Sequence, residues 1–430
     1  MVDDSRVAGL TYSGAGVDIK HTDELKSDMR RYVRSDNPRV MNGLGAFASL
    51  YDIRFDNIAH PVLVLKVEEP GSKQKLAAQY GYIESVCHDM INHLVNDIIV
   101  MGATPLAVLD TIICGKAESD AVKSIVKGIS EACEENECAL VGGETSVQPG
   151  VVDDGTYVLT SSIAGIVDKA KIIDGSAIKE GDQIIAVASN GLHTNGYTLV
   201  RLMMDKVIGI TDKRIGDETF IEAIMKPHPP YYKAVKDLLN TGVVADNGET
   251  NVADGGGSKA VCATGDVDEG AAESNADDGN TAGSNAATGS AVVGSAVDEG
   301  AAESAAAAES AAAAGDAVAD AQCVKGMAHI TGGGIEGNLS RIIPDGLCAD
   351  IDLAKVRVLP IFKFIKENGN INDDEMLSTF NCGVGLILVV DRYATDDIIN
   401  HISSYYDCYV IGEIIRGADR VEFSNQLNWS

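Results

Sequence analysis

From about Asp246 to Asp320 the chain consists of alanine, glycine, serine, asparagine and acidic residues, with no aromatic side chain and very few large apolar ones. The octapeptide VDEGAAES occurs twice, at Val267 to Ser274 and at Val297 to Ser304, and AAAAESAAAAG follows the second copy. Such a stretch cannot bury enough apolar surface to offset the entropy lost on ordering it. It therefore predicts a disordered, acidic low-complexity insertion over 246–321, with transient helix in its alanine-rich part. Any core must be built from the two flanking blocks. A tolerated surface insertion accounts for this stretch more simply than a docking tail does.

The insertion also carries part of the formal net charge of −30. A balance this acidic argues against a nucleic-acid partner, which needs a basic face, but leaves room for small anions held by a local pocket of N–H groups. No run reaches the roughly 18 apolar residues of a membrane span, and MVDDSRVAGLTYSG is no signal peptide. A soluble cytoplasmic protein with no membrane partner is expected. The nine cysteines are scattered through apolar runs and read as buried reduced thiols. Their one close pair, Cys133 and Cys138, has no matching pair to complete a zinc site.

The flanking blocks alternate between the two periods of regular structure. PVLVLKVEE is a strand ending in Glu68 and Glu69. Glu84 to Met101 is a helix with an apolar stripe of Cys87, Met90, Leu94, Ile98 and Met101. Asp89, His93, Asn96 and Asp97 share its other face, either as a solvated surface or as hard oxygen ligands for magnesium beside the strand end. TPLAVLDTIIC, DAVKSIVKGISEACEEN and CALVGGE continue as strand, helix and strand, with Glu144 behind two glycines. A second domain begins near Lys171. After the insertion, MAHITGGGIEGNLSRIIP reads as a strand, a triple glycine and a capped helix. EMLSTFNCGVGLILVV reads as a turn and strand, DRYATDDIINHISSY as a helix and YVIGEIIRG as a last strand. This alternation indicates an α/β or α+β architecture.

In ASNGLHTNGYTLVR, Ala188 to Arg201, a strand runs into a loop that opens a helix, with Thr194 or Asn195 placed to cap it. A helix start carries free N–H groups and partial positive charge, a natural seat for phosphate with His193 at its mouth. An ordinary capped turn has the same pattern. The Gly43 and Gly45 loop around Leu44, followed by Phe47, either closes over a ligand or turns a corner.

TYSGAGVDI, VMNGLGAFASL, NDIIVMGATPL, LVGGET, SNGLHTNGYTLVR, HITGGG and TFNCGVG appear in the order and approximate spacing of one family. The chain resembles the aminoimidazole ribonucleotide synthetases, the phosphoribosylformylglycinamidine cyclo-ligases of purine biosynthesis, over nearly everything except the insertion. The resemblance implies a two-domain α+β fold in which N-terminal sheets pair into a dimeric β-barrel and the C-terminal domain is an α/β sandwich. Residues 1–170 would bind ATP and dimerise, while 171–245 with 322–430 would hold the substrate phosphate. It implies a ligase, a homodimer, that uses ATP and Mg2+ to phosphorylate the amide oxygen of formylglycinamidine ribonucleotide and close the imidazole ring. Catalytic roles would fall to Lys73, Asp97, His193 and Asn195. Gly43, Gly45, Phe47, Lys73, Asn96 and Glu144 would meet the nucleotide, and Glu68, Asp89, Asp97 and Glu144 the metal. Thr194, Asn195, Gly196 and Thr331, Gly332, Gly333 and Gly334 would hold the ribotide phosphate.

The chain also departs from the family. DGVGTK appears as EEPGSK, with Glu68 in place of an aspartate. GGETAEMPG reads GGETSVQPG, with Val147 replacing a carboxylate, and Val158 stands where YDVAG has its acid. A proline-threonine-arginine is replaced by Pro227, His228 and Pro229. The departures leave three readings: an active cyclo-ligase, another ATP-using kinase or synthetase of the superfamily, or a non-catalytic paralogue that binds a nucleotide or ribotide.

Overall fold

The computed structural model describes residues 24, 28, 29, 33, 37–43, 46–241 and 323–430. The expectations for Gly45, for the TYSGAGVDI segment and for the 246–321 insertion lie outside the described residues. Strands β1 (Pro61–Glu68), β2 (Thr104–Cys114), β3 (Ala139–Val147) and β4 (Tyr157–Asp168) form a sheet in the order β1-β4-β2-β3. Only the β2–β3 pair is parallel, as the crossover helix between them requires. Helices α1 (Lys73–Tyr80), α2 (Ile83–Ile99) and α3 (Ser119–Glu135) accompany the sheet, α2 lying against β1, β2 and β4. The apolar stripe foreseen on α2 is buried at Cys87, Met90, Leu94 and Ile98. The opposite face of the sheet is open: Leu63, Leu65, Val67 and Leu109 are 53%, 71%, 64% and 47% exposed. Among the described residues the four strands close no barrel.

The second sheet draws on both blocks. It comprises β5 (Gln183–Ala188), β8 (Val324–His329), β9 (Leu347–Asp352), β10 (Val384–Val390), β11 (Cys408–Arg416) and β12 (Val421–Ser424), in the order β12-β9-β11-β5-β10-β8. All pairs are antiparallel except β12 with β9. β6 (Arg214–Ile215) and β7 (Glu218–Thr219) form a separate short hairpin. Around the sheet lie α4 (Tyr197–Lys206), α5 (Phe220–Ile224), α6 (Tyr232–Thr241), α7 (Gly334–Leu339), α8 (Pro360–Gly369), α9 (Asp373–Thr379) and α10 (Thr395–Ile402). Every residue of β10 is buried, which explains its unbroken apolar run. The chain is thus a two-domain mixed α/β fold, each domain built on its own sheet.

Four local expectations are corrected. The strand over YVIGEIIRG is not the last, because β12 follows and pairs with β9. The segment EMLST is helical in α9, capped by the Asn372 side chain on the Glu375 N–H at 2.8 Å. Neither Thr194 nor Asn195 caps α4; Gly196 does, at φ 77° and with no side-chain cap. A side chain at Gly196 would run into the Phe380 ring. Similarly, Gly333 precedes α7 without a side-chain cap.

The polar face of α2 is not solvated either. Ser85, Asp89, Asn92 and Asn96, spaced at roughly one turn, grip the backbone of 225–231 from the other domain. Ser85 Oγ donates to Met225 O at 2.6 Å, and the His228 N–H donates to Asp89 Oδ1 at 3.0 Å. Asn92 Nδ2 donates to His228 O at 2.7 Å, and its Oδ1 accepts from Asn136 Nδ2 at 2.7 Å. Asn96 Nδ2 donates to Pro229 O at 3.0 Å while its Oδ1 accepts from the Tyr231 N–H at 3.2 Å. A buried polar group left unpaired costs about 1–3 kcal/mol, so each grip holds the domains in register. Asn92→Ala should lower stability by about 2–3 kcal/mol in urea denaturation, because it strands the His228 carbonyl and leaves the Asn136 amide only its bond to Ala132 O. Lys127→Ala, which removes an exposed pair with Glu84, should leave the urea midpoint essentially unchanged.

Candidate active site

The strand-to-helix turn after β5 lines a cleft, and the glycine turn after β8 lies against the Asn195 side chain of that turn. The cleft has a volume of about 740 Å³, and its lining includes Gly71, Ser72, Thr194, Asn195, Arg201 and Glu375. Because α4 has no side-chain cap, its first-turn N–H groups remain available to an anion. The Asn195 side chain reaches the second turn: a methyl group on Gly332 would sit 3.1 Å from Asn195 Oδ1. Asn338 Nδ2 fixes that turn by donating to Gly332 O at 3.2 Å and Gly334 O at 2.8 Å. Thr194, Asn195, Gly196 and the Thr331 to Gly334 turn are therefore neighbours.

His193 does not stand at the mouth of this cleft. Its backbone is left-handed, φ 63°, which few non-glycine residues adopt, and the side chain is fully buried. It joins three other buried histidines. Ring centroids are 4.2 Å apart for His193 and His228, 5.4 Å for His228 and His329, and 5.0 Å for His93 and His228. His228 Nδ1 lies 2.8 Å from Asp89 Oδ1, and His329 Nδ1 2.7 Å from Asp97 Oδ1. Burial pushes the His193 and His228 imidazoles well below their ordinary range. It also brings His93 down to about 4, against the pull of Asp97.

Lys73 and Asp89 pair completely buried beneath this cluster. The Lys73 ammonium also donates to His193 O at 3.0 Å and Lys226 O at 2.7 Å. Burial raises the Asp89 carboxyl to about 7 and lowers the Lys73 ammonium, with their mutual attraction opposing both shifts. Both residues, like Asn96, are spent on joining the domains, so the structure does not bring them to the open carboxylates. Glu68 and Asp97 do come together. Lys66 Nζ bridges them, 3.2 Å from Glu68 Oε2 and 2.9 Å from Asp97 Oδ2. Burial works to raise Asp97, but His329, His93 and Lys66 hold it below the usual carboxylate range.

Glu144 lies opposite Thr111 on the open face of the first sheet, and Asp110 opposite Gly143 on the helix side. In register with Asp110 is Ser161, which also faces Glu68, so Glu68, Ser161, Asp110 and Gly143 form one row across the sheet. The loop holding Gly43 and Phe47 is tied above β3. Asn42 bonds Ala48 O at 2.7 Å and the Leu50 N–H at 2.8 Å, and Ser49 Oγ donates to Val141 O at 2.6 Å. Phe47 is fully exposed. Glu68 and Asp97, part-exposed hard oxygen donors whose two charges one ammonium offsets only by half, suit a magnesium ion that shares its shell with phosphate.

Sequence reasoning missed Asp110, Arg201, His228 and His329. Asp110 had a readable signal, as the one acid inside the apolar strand TPLAVLDTIIC. Arg201 lay in the quoted motif, and His228 was visible only as a departure. Burial, reinforced by Glu144, raises Asp110 to about 7. Its folded form therefore keeps a proton to higher pH than its unfolded form does. The stability this brings is present below about pH 4 and lost as pH rises through 7, at most about 4 kcal/mol. Asp110→Asn should flatten that fall in urea midpoints measured from pH 5 to 8 without divalent cations.

Two family descriptions match the chain: AIR synthase related protein, N-terminal domain, over residues 62–167, and AIR synthase related protein, C-terminal domain, over residues 264–423. The phosphoribosylformylglycinamidine cyclo-ligase of Methylobacillus flagellatus is 33% identical, across 89% of this chain and 87% of its own. That of Sorangium cellulosum is 32% identical, across 95% and 97%. Among solved structures, E. coli HypE is similar with a TM-score of 0.56 at 14% identity, covering 94% of each chain. A hydrogenase maturation protein HypE in complex with ATP gives 0.54 at 13%, covering 95% of this chain and 92% of its own. The structural likeness shows the fold. The sequence identities, sustained across both domains, show that this chain belongs to the phosphoribosylformylglycinamidine cyclo-ligase family.

Proposed function

We propose that this chain is an ATP-dependent ligase that closes formylglycinamidine ribonucleotide to 5-aminoimidazole ribonucleotide in purine biosynthesis. The observation that carries this reading is the cleft lined by Asn195 and Arg201, with the Gly332 turn set against the Asn195 side chain. Oriented N–H groups and one guanidinium are what a ribotide phosphate requires. In this reading Thr194, Asn195, Gly196 and Thr331 to Gly334 hold the phosphate and present the amide to be activated. His193 braces the loop from below. Catalysis then rests on positioning and on neutralising the polyphosphate.

On the nucleotide side, Glu68 and Asp97 are the proposed magnesium ligands, with Asp110 in the same row across the sheet as Glu68 and Glu144 on β3 at its open face. The ion would supply charge neutralisation to the transferring phosphoryl group. Lys66, between the two carboxylates, supplies a second cation there. The loop of Gly43, Gly45 and Phe47 is the proposed cover for ATP, and its tie to β3 through Ser49 supports that placement. Residues 1–170 form the ATP unit, 171–245 with 322–430 the phosphate unit, and 246–321 an insertion between them. The exposed apolar face of Leu63, Leu65, Val67 and Leu109 supports pairing of two N-terminal sheets into a homodimeric barrel.

Purified protein supplied with formylglycinamidine ribonucleotide, ATP and Mg2+ should release ADP and phosphate and form the imidazole product. Arg201→Ala should raise KM for the ribotide by about 10- to 100-fold with little change in kcat. Asp97→Asn should lower kcat by about 100-fold or more. Absence of ring product at saturating substrates would sink the reading.

A further inference from the structure

The buried imidazoles leave a balance of nitrogen atoms that the ring-closing reaction does not explain. Four ring nitrogens are buried with no hydrogen-bond partner among the described residues: His193 Nδ1 and Nε2, His228 Nε2 and His329 Nε2. Each such group carries a desolvation cost of about 1–3 kcal/mol, and three of the rings sit side by side. In two of them the opposite nitrogen is engaged by a carboxylate, His228 Nδ1 by Asp89 at 2.8 Å and His329 Nδ1 by Asp97 at 2.7 Å. A carboxylate that fixes one ring nitrogen, with the other nitrogen turned into a dry cluster, is how metal-binding imidazoles are held.

We propose that His193, His228 and His329 form a binding site for a divalent transition-metal ion of the zinc class, with donor atoms other than the magnesium and nucleotide ligands and joined to them through the His329–Asp97 contact. One donor atom from each of the three lies within 4.8 Å of the others. The centre of a triangle of that size is at most about 2.8 Å from each corner, so shifts of under about 1 Å bring all three nitrogens to zinc–imidazole distance. The donor set selects the ion. Three neutral imidazoles suit zinc, cobalt or nickel, whereas magnesium and calcium demand oxygen. Asp89 and Asp97 remain behind the ligands, where they set the tautomers and offset the charge.

His228 occupies the segment where the resembling family carries proline-threonine-arginine, and the α2 clamp fixes it there through Asp89 and Asn92. An ion on these three rings would join the loop after β5, the segment before α6 and the end of β8. It would lock His193 inward and so brace the phosphate cradle built on the next residues. A competing trio exists, His93, Asp97 and His329. However, His93 Nδ1 already meets Thr194 Oγ1 at 3.2 Å, and Asp97 is held by Lys66 and His329.

The test is titration of full-length, chelator-stripped protein with Co2+ and then Zn2+, reading the visible absorption of four-coordinate cobalt and its loss on displacement. One ion per chain is expected. His228→Asn and His329→Asn, checked for folding by circular dichroism, should each weaken binding by about 100-fold or more, while His93→Asn should leave it within a few-fold. X-ray absorption at the zinc edge of the unaltered protein should show three imidazole nitrogens at about 2.0 Å. No saturable binding, an all-oxygen shell, or unchanged affinity in His228→Asn would overturn the proposal. Loss in His93→Asn with retention in His228→Asn would also overturn it and assign the ion to the other trio. Because the readout is ion binding rather than turnover, it stands or falls apart from the ligase reading.

Discussion

The two sheets are held in register by one side of one helix. Ser85, Asp89, Asn92 and Asn96 of α2 each engage the 225–231 backbone, and the opposite side of α2 is packed on the first sheet. An element so committed on both sides has no freedom to slide. The loop after β5, the His228 segment and the end of β8 all close on this helix. Through Lys73, which reaches His193 O and Lys226 O, even the glycine turn before α1 is fixed to the second domain. The cleft at the start of α4 is a product of domain docking rather than of either sheet alone.

Docking of this kind carries a large electrostatic load. An isolated buried ion pair gives little net stability, because desolvation cancels much of the attraction. The Lys73–Asp89 pair is repaid by geometry instead: the ammonium has two carbonyl acceptors, and the carboxylate accepts from the His228 N–H and ring. Removing either partner would leave an uncompensated charge at the junction, which is how such pairs enforce one arrangement over its alternatives. Toward the surface the same helix offers Asp97 to Lys66 and His329. The row of acids thus runs from a sealed interior to an accessible rim.

Much of the fold was legible. β2 and β5 coincide with TPLAVLDTIIC and QIIAVA, since turn residues bound both runs. The α3 stripe of Val122, Ile125, Val126, Ile129, Ala132 and Cys133 is buried as its period predicts. What failed was anything that required a knowledge of neighbours. A polar helix face looks the same whether it meets water or the backbone of another domain, so Asn92 and Asn96 could not be told from solvated residues. The four histidines are spread from 93 to 329, and only tertiary packing unites them. The α4 cap was misread because Phe380, distant in sequence, demands a glycine at 196. Asp110 was passed over as one polar residue in an apolar strand, although register with Ser161 places it in one row across the sheet with Glu68.

The left-handed backbone of His193 bears on how its side chain can be interrogated. Exchange for alanine removes the ring and also installs a residue that resists this conformation, so two perturbations arrive together. Glycine or asparagine tolerates positive φ far better and would delete the imidazole while leaving the chain path intact. At this position the informative replacement is chosen by the Ramachandran map rather than by side-chain size.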